Sequence, residues 1–454
     1  MKNIYFFIIL IIFNSCGNES SKNEELIINK EEPLIYQQWS INYNQEFYSE
    51  NNINNNANIN TMDILDKYTG KGIKVAIIDN GFDISHPEIK DNIIATISVD
   101  ENGNISNDVG HDNNYEYHGT AVAGIIAANI NNKGIRGISP NVELILIKMP
   151  KIINDSTEIE LFKQAVKYNA DIINCSWGTY DVSETVKDYI NDISTNARNG
   201  KGVIIVFSSG NDNKDMGNDE SSIKNIIGVG ATNKDNLRTV YSNYGKDLDI
   251  VAPGGNLLGI TTIDPLGNNG TSNDDYNRYN ELKDGSKTSF IGTSASAPII
   301  TATLALALEK NKNISRKDIQ YILKYSTSYI GENVPYLDDI ILSSSPTPII
   351  SGILGNLNND NIQVKLVSEA TLTEYGPYSI LVNNNKFTSL ITDQIEEGNY
   401  TVNILDESSK VILATKEHFI IDYNGITYTN SDIKFNNFYG FGKIDLNKFI
   451  KNIF

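Results

Sequence analysis

The chain of 454 residues carries 56 acidic and 37 basic side chains, a formal charge of −19 at pH 7. That excess repels nucleic-acid phosphates and anionic membrane surfaces, so no nucleic-acid partner is expected. The length suits one large domain with a smaller one, and two cysteines are too few for a disulfide framework.

Residues 1–15 read as a signal peptide. Lys2 supplies a short positive region, and the apolar run 4–13 is too short to span a bilayer as a helix. The string Asn14-Ser15-Cys16-Gly17 follows and resembles a bacterial lipoprotein signal, in which the cysteine becomes the lipidated first residue. That resemblance implies a lipid anchor through Cys16 and an extracytoplasmic, membrane-anchored protein facing the periplasm or the cell surface; simple secretion is the alternative. Residues 16–31 would then be a flexible tether. With Cys16 lipidated only Cys175 remains, and at the end of an apolar segment it reads as a small buried hydrophobe. The Asn-rich stretch 51–60 reads as a low-complexity loop.

Residues 75–78 form a short continuous apolar run, the mark of a strand buried in a parallel sheet, and Gly81 reads as a turn residue just beyond Asp79. Open α/β sheets place their sites at the carboxyl ends of such strands. In YHGTAVAG, His118 opens a segment over 120–128 that reads as an amphipathic helix with small residues for close packing. A second apolar strand over 203–207 leads into SSGND and Asn211. In GTSASAP, Ser294 and Pro298 open an apolar helix over 299–308, followed by a polar tail at 309–313 and a helix over 316–326.

Asp79, His118 and Ser294 are the side-chain types that together make a hydroxyl nucleophilic at neutral pH. Serine is almost never ionised, so an imidazole must take its proton as the oxygen attacks a carbonyl. A carboxylate must hold that imidazole in the right tautomer and stabilise its protonated form. Singly, each residue has a plainer reading: a strand-end carboxylate, a structural histidine, an N-cap serine. Three motifs in the order Asp, His, Ser outweigh those readings.

On these motifs the chain resembles the subtilisin-like serine peptidases, from about residue 37 to 341 and again near 440. The resemblance implies an α/β fold, a doubly wound, mostly parallel sheet with helices on both faces. It implies a serine endopeptidase that hydrolyses protein or peptide substrates through an acyl-enzyme on Ser294. Asn211 would stabilise the oxyanion with the Ser294 N–H, and losing such a donor in enzymes of this class costs about 10²–10³ in rate. Ser176 and Gly178 would offer backbone groups to an extended peptide, with Trp177 either walling an apolar pocket or serving as a core aromatic. Ser209, Gly210 and Asn211, with residues 218–221, would form the far wall; Asp212, Asp219 and Glu220 raise a preference for basic residues.

The loop 129–135 matches the family's calcium-binding loop in length. It implies a structural Ca²⁺ held by Glu88 of HPEI, the Asn131 side chain, and the backbone carbonyls of Asn129, Lys133 and Ile135. No cofactor is needed for the chemistry. Ala295 stands where the family usually has Met, so a thioether beside the nucleophile cannot be oxidised. The string LIYQQW at 34–39 is similar to a kexin-like start. The same fold also admits a catalytically silent surface lipoprotein used as a binding or adhesion scaffold.

The string YGFGKID at 439–445 looks like the family's closing turn, yet it lies about a hundred residues beyond the helix over 316–326. Between them, alternating segments at 362–367, 378–382, 400–405 and 411–414 read as strands, with turns at 358–360 and 397–399. This predicts a small all-β sandwich at 346–427, inserted into a catalytic domain covering 32–345 and 428–454.

Overall fold

A computed structural model describes residues 32–61, 63–111, 117–267, 290–330, 336–342, 349–355, 362–368, 371, 373–383, 386–390, 392–393, 398–405, 411–414, 419–421 and 435–454. The expectations for 1–31, Cys16 included, and for the turn at 358–360 lie outside the described residues.

The apolar runs become the strands of one large sheet. In chain order these are β1 (Lys74–Asp79), β2 (Ile93–Val99), β3 (Ile105–Ser106), β4 (Glu143–Lys148), β5 (Ile172–Cys175), β6 (Ile204–Ser208), β7 (Ile227–Thr232), β8 (Ile250–Pro253), β9 (Thr327–Ser328) and β10 (Lys443–Ile444). Their spatial order is β3-β2-β4-β1-β5-β6-β7-β8-β10-β9. Only the outermost pairs, β2 with β3 and β10 with β9, are antiparallel. The chain winds away from β1 in both directions, so the crevice at its carboxyl end, where Asp79 sits, is the switch point of a doubly wound sheet.

Alternation along each strand assigns the two faces. Val75 and Ile77 with Leu144 and Leu146 join one core, whose helices are α1 (His118–Ala127) and α4 (Thr293–Lys310). Ala76 and Ile78 with Ile145 and Ile147 face the other core, covered by α2 (Asp155–Lys167) and α3 (Glu184–Gly200). Further helices follow at α5 (Arg316–Tyr325) and α6 (Leu446–Asn452).

Two helices differ from their sequence reading. α1 is not amphipathic: residues 119–127 are all buried, because the helix packs on β1 and beside α4 and is covered by the loop at Thr262 and Ile263, which leaves it no solvent face. α4 starts six residues before the expected 299, so Ser294 is in its first turn and Pro298 is inside it. Pro298 has no N–H to give the carbonyl of Ser294 four residues back. The Ser176 hydroxyl donates to that carbonyl at 3.1 Å instead, and the helix runs through the proline. Residues 293–308 are all buried. Burial of each large apolar side chain among them, such as Ile300 or Leu304, contributes about 1.5–3 kcal/mol.

The Asn-rich stretch 51–60 is a loop, pinned by Ile53, Ala57 and Ile59 in the core. Beyond β9 the chain forms two small antiparallel sheets. One joins Tyr336–Leu342, Ile349–Gly355, Lys386–Leu390 and Leu381–Asn383; the other joins Glu374–Ser379, Gln363–Ser368, Gly398–Leu405 and Val411–Ala414, with Phe419–Ile421 alongside. Ile350, Leu354 and Phe387 of the first share a core with Val364, Leu366, Val402 and Ile404 of the second, which is the layering of a sandwich. Its first strand begins at Tyr336, ahead of residue 346.

Candidate active site

Asp79 ends β1 at the carboxyl edge of the sheet and is 1% exposed. Its carboxylate faces His118 at the start of α1, where Nδ1 lies 2.8 and 2.9 Å from the two oxygens. Oδ1 also accepts the Asn80 N–H at 2.8 Å. A carboxylate only accepts, so Nδ1 carries the proton and Nε2 is left as the basic nitrogen.

The close approach depends on Gly119. A Cβ there would meet the Gly81 carbonyl oxygen at 2.4 Å and the Asp79 Cβ at 3.1 Å. Gly81 itself takes no left-handed conformation; a Cβ there would meet the His111 ring first, at 3.3 Å. Phe290 lies against the His118 ring edge-on at 5.3 Å between centroids.

Ser294 is buried in the first turn of α4, where backbone N–H groups have no partner within the helix and the dipole favours negative charge. Its hydroxyl donates to the Ser176 carbonyl oxygen at 3.0 Å. With the reverse bond from the Ser176 hydroxyl, the nucleophile candidate and the expected peptide-binding edge are doubly tied.

Asn211 is exposed beyond β6. Its Oδ1 accepts the Thr293 N–H at 2.9 Å and the Thr293 hydroxyl at 3.0 Å, which turns Nδ2 into the outward donor beside Gly292. Gly210 needs its φ of +95°, and a Cβ there would lie 2.4 Å from Asn243 Nδ2. Asn243, absent from the sequence reading, organises this loop. Its Oδ1 accepts the N–H groups of Asp212 and Lys214 at 2.9 and 3.2 Å, and its own N–H donates to Gly210. Ser209 is buried, with its N–H on Val229, so the wall is built from Gly210 and Asn211.

Trp177 makes the contacts of a core aromatic: Nε1–H donates to the Ile78 carbonyl at 2.9 Å, and the ring meets Phe207 edge-on at 5.2 Å. Two of the three acids suggested for substrate recognition are spent on the fold. Asp219 accepts from Ser221 and Tyr180, and Glu220 from Thr179. Asp212 is exposed, with Lys214 3.4 Å away.

The loop 129–135 shows unsatisfied oxygens. Glu88 Oε2 and Asn131 Oδ1 are buried without a hydrogen-bond partner, while Asn131 Nδ2 reaches Glu88 Oε1 at 3.2 Å. Among the described residues nothing donates to the carbonyls of Asn129, Lys133 or Ile135. Burial, with Glu32 nearby, pushes the Glu88 carboxyl up to about 7. Glu32, assigned to no site from sequence, is buried and accepts the N–H groups of Asn131, Asn132 and Lys133. Orphaned hard oxygens beside two buried carboxylates suit Ca²⁺ in ligand type.

The subtilase family model matches residues 70–376, and the chain belongs to that family. It is 30% identical over 291 residues to the calcium-dependent protease of Nostoc sp., covering 58% of this chain and 42% of that protein. It is 32% identical over 246 residues to the major intracellular serine protease of Bacillus subtilis, covering 52% of this chain and 68% of that one. The chain thus spans less than half the length of the first relative. Among solved structures, the serine protease of Aeromonas sobria in complex with its chaperone aligns with a TM-score of 0.61 at 20% identity, covering 92% of this chain and 66% of that one. The same protease alone gives 0.55 at 17% identity, covering 93% and 96%. These two likenesses establish the fold.

Proposed function

We propose that this chain is a serine endopeptidase that cleaves protein or peptide substrates through an acyl-enzyme on Ser294. The observation that carries the reading is the Asp79–His118 pair at the sheet's carboxyl edge, in a site that also holds Ser294 at a helix start and Asn211 tied to its neighbour Thr293. His118 Nε2 takes the Ser294 proton as Oγ attacks, and returns it to the leaving amine. Asn211 Nδ2 and the Ser294 N–H receive the oxyanion. The segment Ser176 to Gly178 pairs with the extended substrate, and its bonds with Ser294 fix that edge relative to the nucleophile.

A fluorophosphonate probe tests this on the full chain. Covalent labelling that disappears in Ser294→Ala is the expected result. A well-folded chain that stays unlabelled overturns it and leaves the adhesion-scaffold reading.

Ca²⁺ is the proposed structural ion. Glu88, Asn131 and the carbonyls of Asn129, Lys133 and Ile135 would hold it, and it would brace this loop against the segment carrying Glu32. Cys16 is the proposed lipid attachment point, which would hold the enzyme on an extracytoplasmic membrane face. Metabolic labelling with a fatty acid that persists in Cys16→Ser overturns the anchor.

A further inference from the structure

Three buried acids lie behind the peptide-binding edge: Glu158 on α2 is 3% exposed, and Asp219 and Glu220 in the turn before β7 are 5% and 0%. Glu220 accepts the Thr179 N–H at 2.9 Å and also the Thr179 hydroxyl. Asp219 Oδ2 accepts the Tyr180 N–H at 3.1 Å. Gly178 fits so closely that a Cβ would stand 2.5 Å from the same oxygen. Tyr180 has φ +68°, a left-handed conformation that is costly for a bulky residue and persists only where its surroundings impose it. Residues 178–180, which continue directly from Ser176 and Trp177, are therefore shaped by two neighbouring carboxylates.

The third acid makes this arrangement possible. Glu158 has the Glu220 carboxyl as its foremost charged neighbour, both side chains are buried, and Glu158 Oε1 has no hydrogen-bond partner. Two neighbouring carboxylates buried in a protein cannot both be ionised, so one proton stays between them. Burial first, and then the neighbouring Glu220, push the Glu158 carboxyl well above the usual range, and burial also raises Glu220. The titratable groups facing Glu158 are Asp155 on its own helix, Glu220 and Asp219 from the turn, and the Cys175 thiol of β5, itself pushed up by burial and these carboxylates. All are acidic, so none compensates for loss of the shared proton.

We propose that Glu158, Asp219 and Glu220 are positioning residues of the substrate edge, with a single proton shared by Glu158 and Glu220 holding residues 178–180 in their peptide-receiving shape. The inference rests on the peptidase reading, because that edge is where the substrate pairs. A carboxyl raised in the folded state contributes stability below its unfolded value and loses it as pH climbs through its folded value. Alkali therefore sets two buried anions against each other beside Asp219, frees Thr179, and weakens substrate binding before it affects the acyl-transfer step.

The test is steady-state kinetics on a peptide substrate from about pH 6 to about pH 10, together with amide exchange at residues 178–180 corrected for intrinsic rate. In the wild type KM is expected to rise about fivefold or more toward the alkaline end while kcat changes less than about twofold, and exchange at 179 and 180 accelerates. Glu158→Gln, which stays neutral beside Glu220, flattens both profiles, whereas a merely structural glutamate would not couple KM to pH. Parallel profiles in the wild type and Glu158→Gln overturn the inference. A chain unlabelled by fluorophosphonate overturns the peptidase reading instead, and amide exchange then still decides whether the proton pair holds the edge.

Discussion

Asp79 and His118 meet because Gly119 has no Cβ to strike the Gly81 carbonyl, and that makes Gly119 a sensitive non-polar position near the site. Gly119→Ala forces a Cβ against the Gly81 carbonyl and pushes the histidine away from its partner. A displacement of about 1 Å at reacting groups costs on the order of 10² in rate, so kcat/KM is expected to fall by that factor, with a lower melting temperature as the second readout. Ala295, buried beside the nucleophile, carries no oxidisable sulfur, so peroxide treatment is expected to leave the fluorophosphonate labelling rate unchanged. These positions are readable in sequence because they sit inside strings whose residue types have one chemistry in common. Glu32, Glu158 and Asn243 are not readable in that way. Each acts across at least 33 residues of chain, on Asn131, Glu220 and Gly210 respectively, and isolated Glu and Asn residues in an acidic, Asn-rich chain carry no spacing signal.

Helix α4 carries the nucleophile candidate through a proline because a residue on another element completes its hydrogen bonding. Ser176→Ala removes the donor to the Ser294 carbonyl and leaves that buried acceptor unsatisfied, which costs about 1–3 kcal/mol and is measurable by thermal or urea unfolding. Pro298→Ala supplies an N–H to the same carbonyl, so the double variant is expected to lose less stability than Ser176→Ala alone. An additive result would show that the two bonds do not share an acceptor. The strands of the main sheet were legible as apolar runs, and the sandwich strands as alternation, because period and burial agree there. The start of α4 was not legible, since the proline suggests a helix boundary and the compensating hydroxyl lies 118 residues away. α1 was misread for a related reason: small residues fit either one tight face or a helix enclosed on every side.

The whole molecule is held at two places by oxygen and nitrogen atoms whose charge state is a stability variable. If Ca²⁺ occupies the loop 129–135, chelation lowers the melting temperature, and at an ion concentration of about 100 times Kd the loss is about 2.7 kcal/mol. Glu88→Gln should then melt at a temperature insensitive to chelator; an unchanged melt in the wild type removes the ion from the account. Lys443 in β10 is 3% exposed beside the Asn56 carbonyl, and burial pulls its amine down to about 7. The unfolded chain therefore holds a proton that the folded one releases between that value and the ordinary lysine range, so this group makes stability rise with pH across that window. Lys443→Met is expected to lose that rise, and a melting temperature that climbs with pH as steeply as in the wild type assigns the rise to another group. Alternation announces the sandwich and the string YGFGKID announces the return of the chain to the main domain, but the strand β10 could not be anticipated, because two residues carry no pattern. That return has a consequence in time. Lys443 pairs with Val251 on one side and Ser328 on the other, and the Leu446 N–H reaches back to Ile59. A folding chain thus has β8 and β9 held apart by a missing strand, and the sheet closes only after residues 443 and 444 have joined it. A chain folding in this order keeps the sheet that carries the candidate site incomplete until its last strand has joined it.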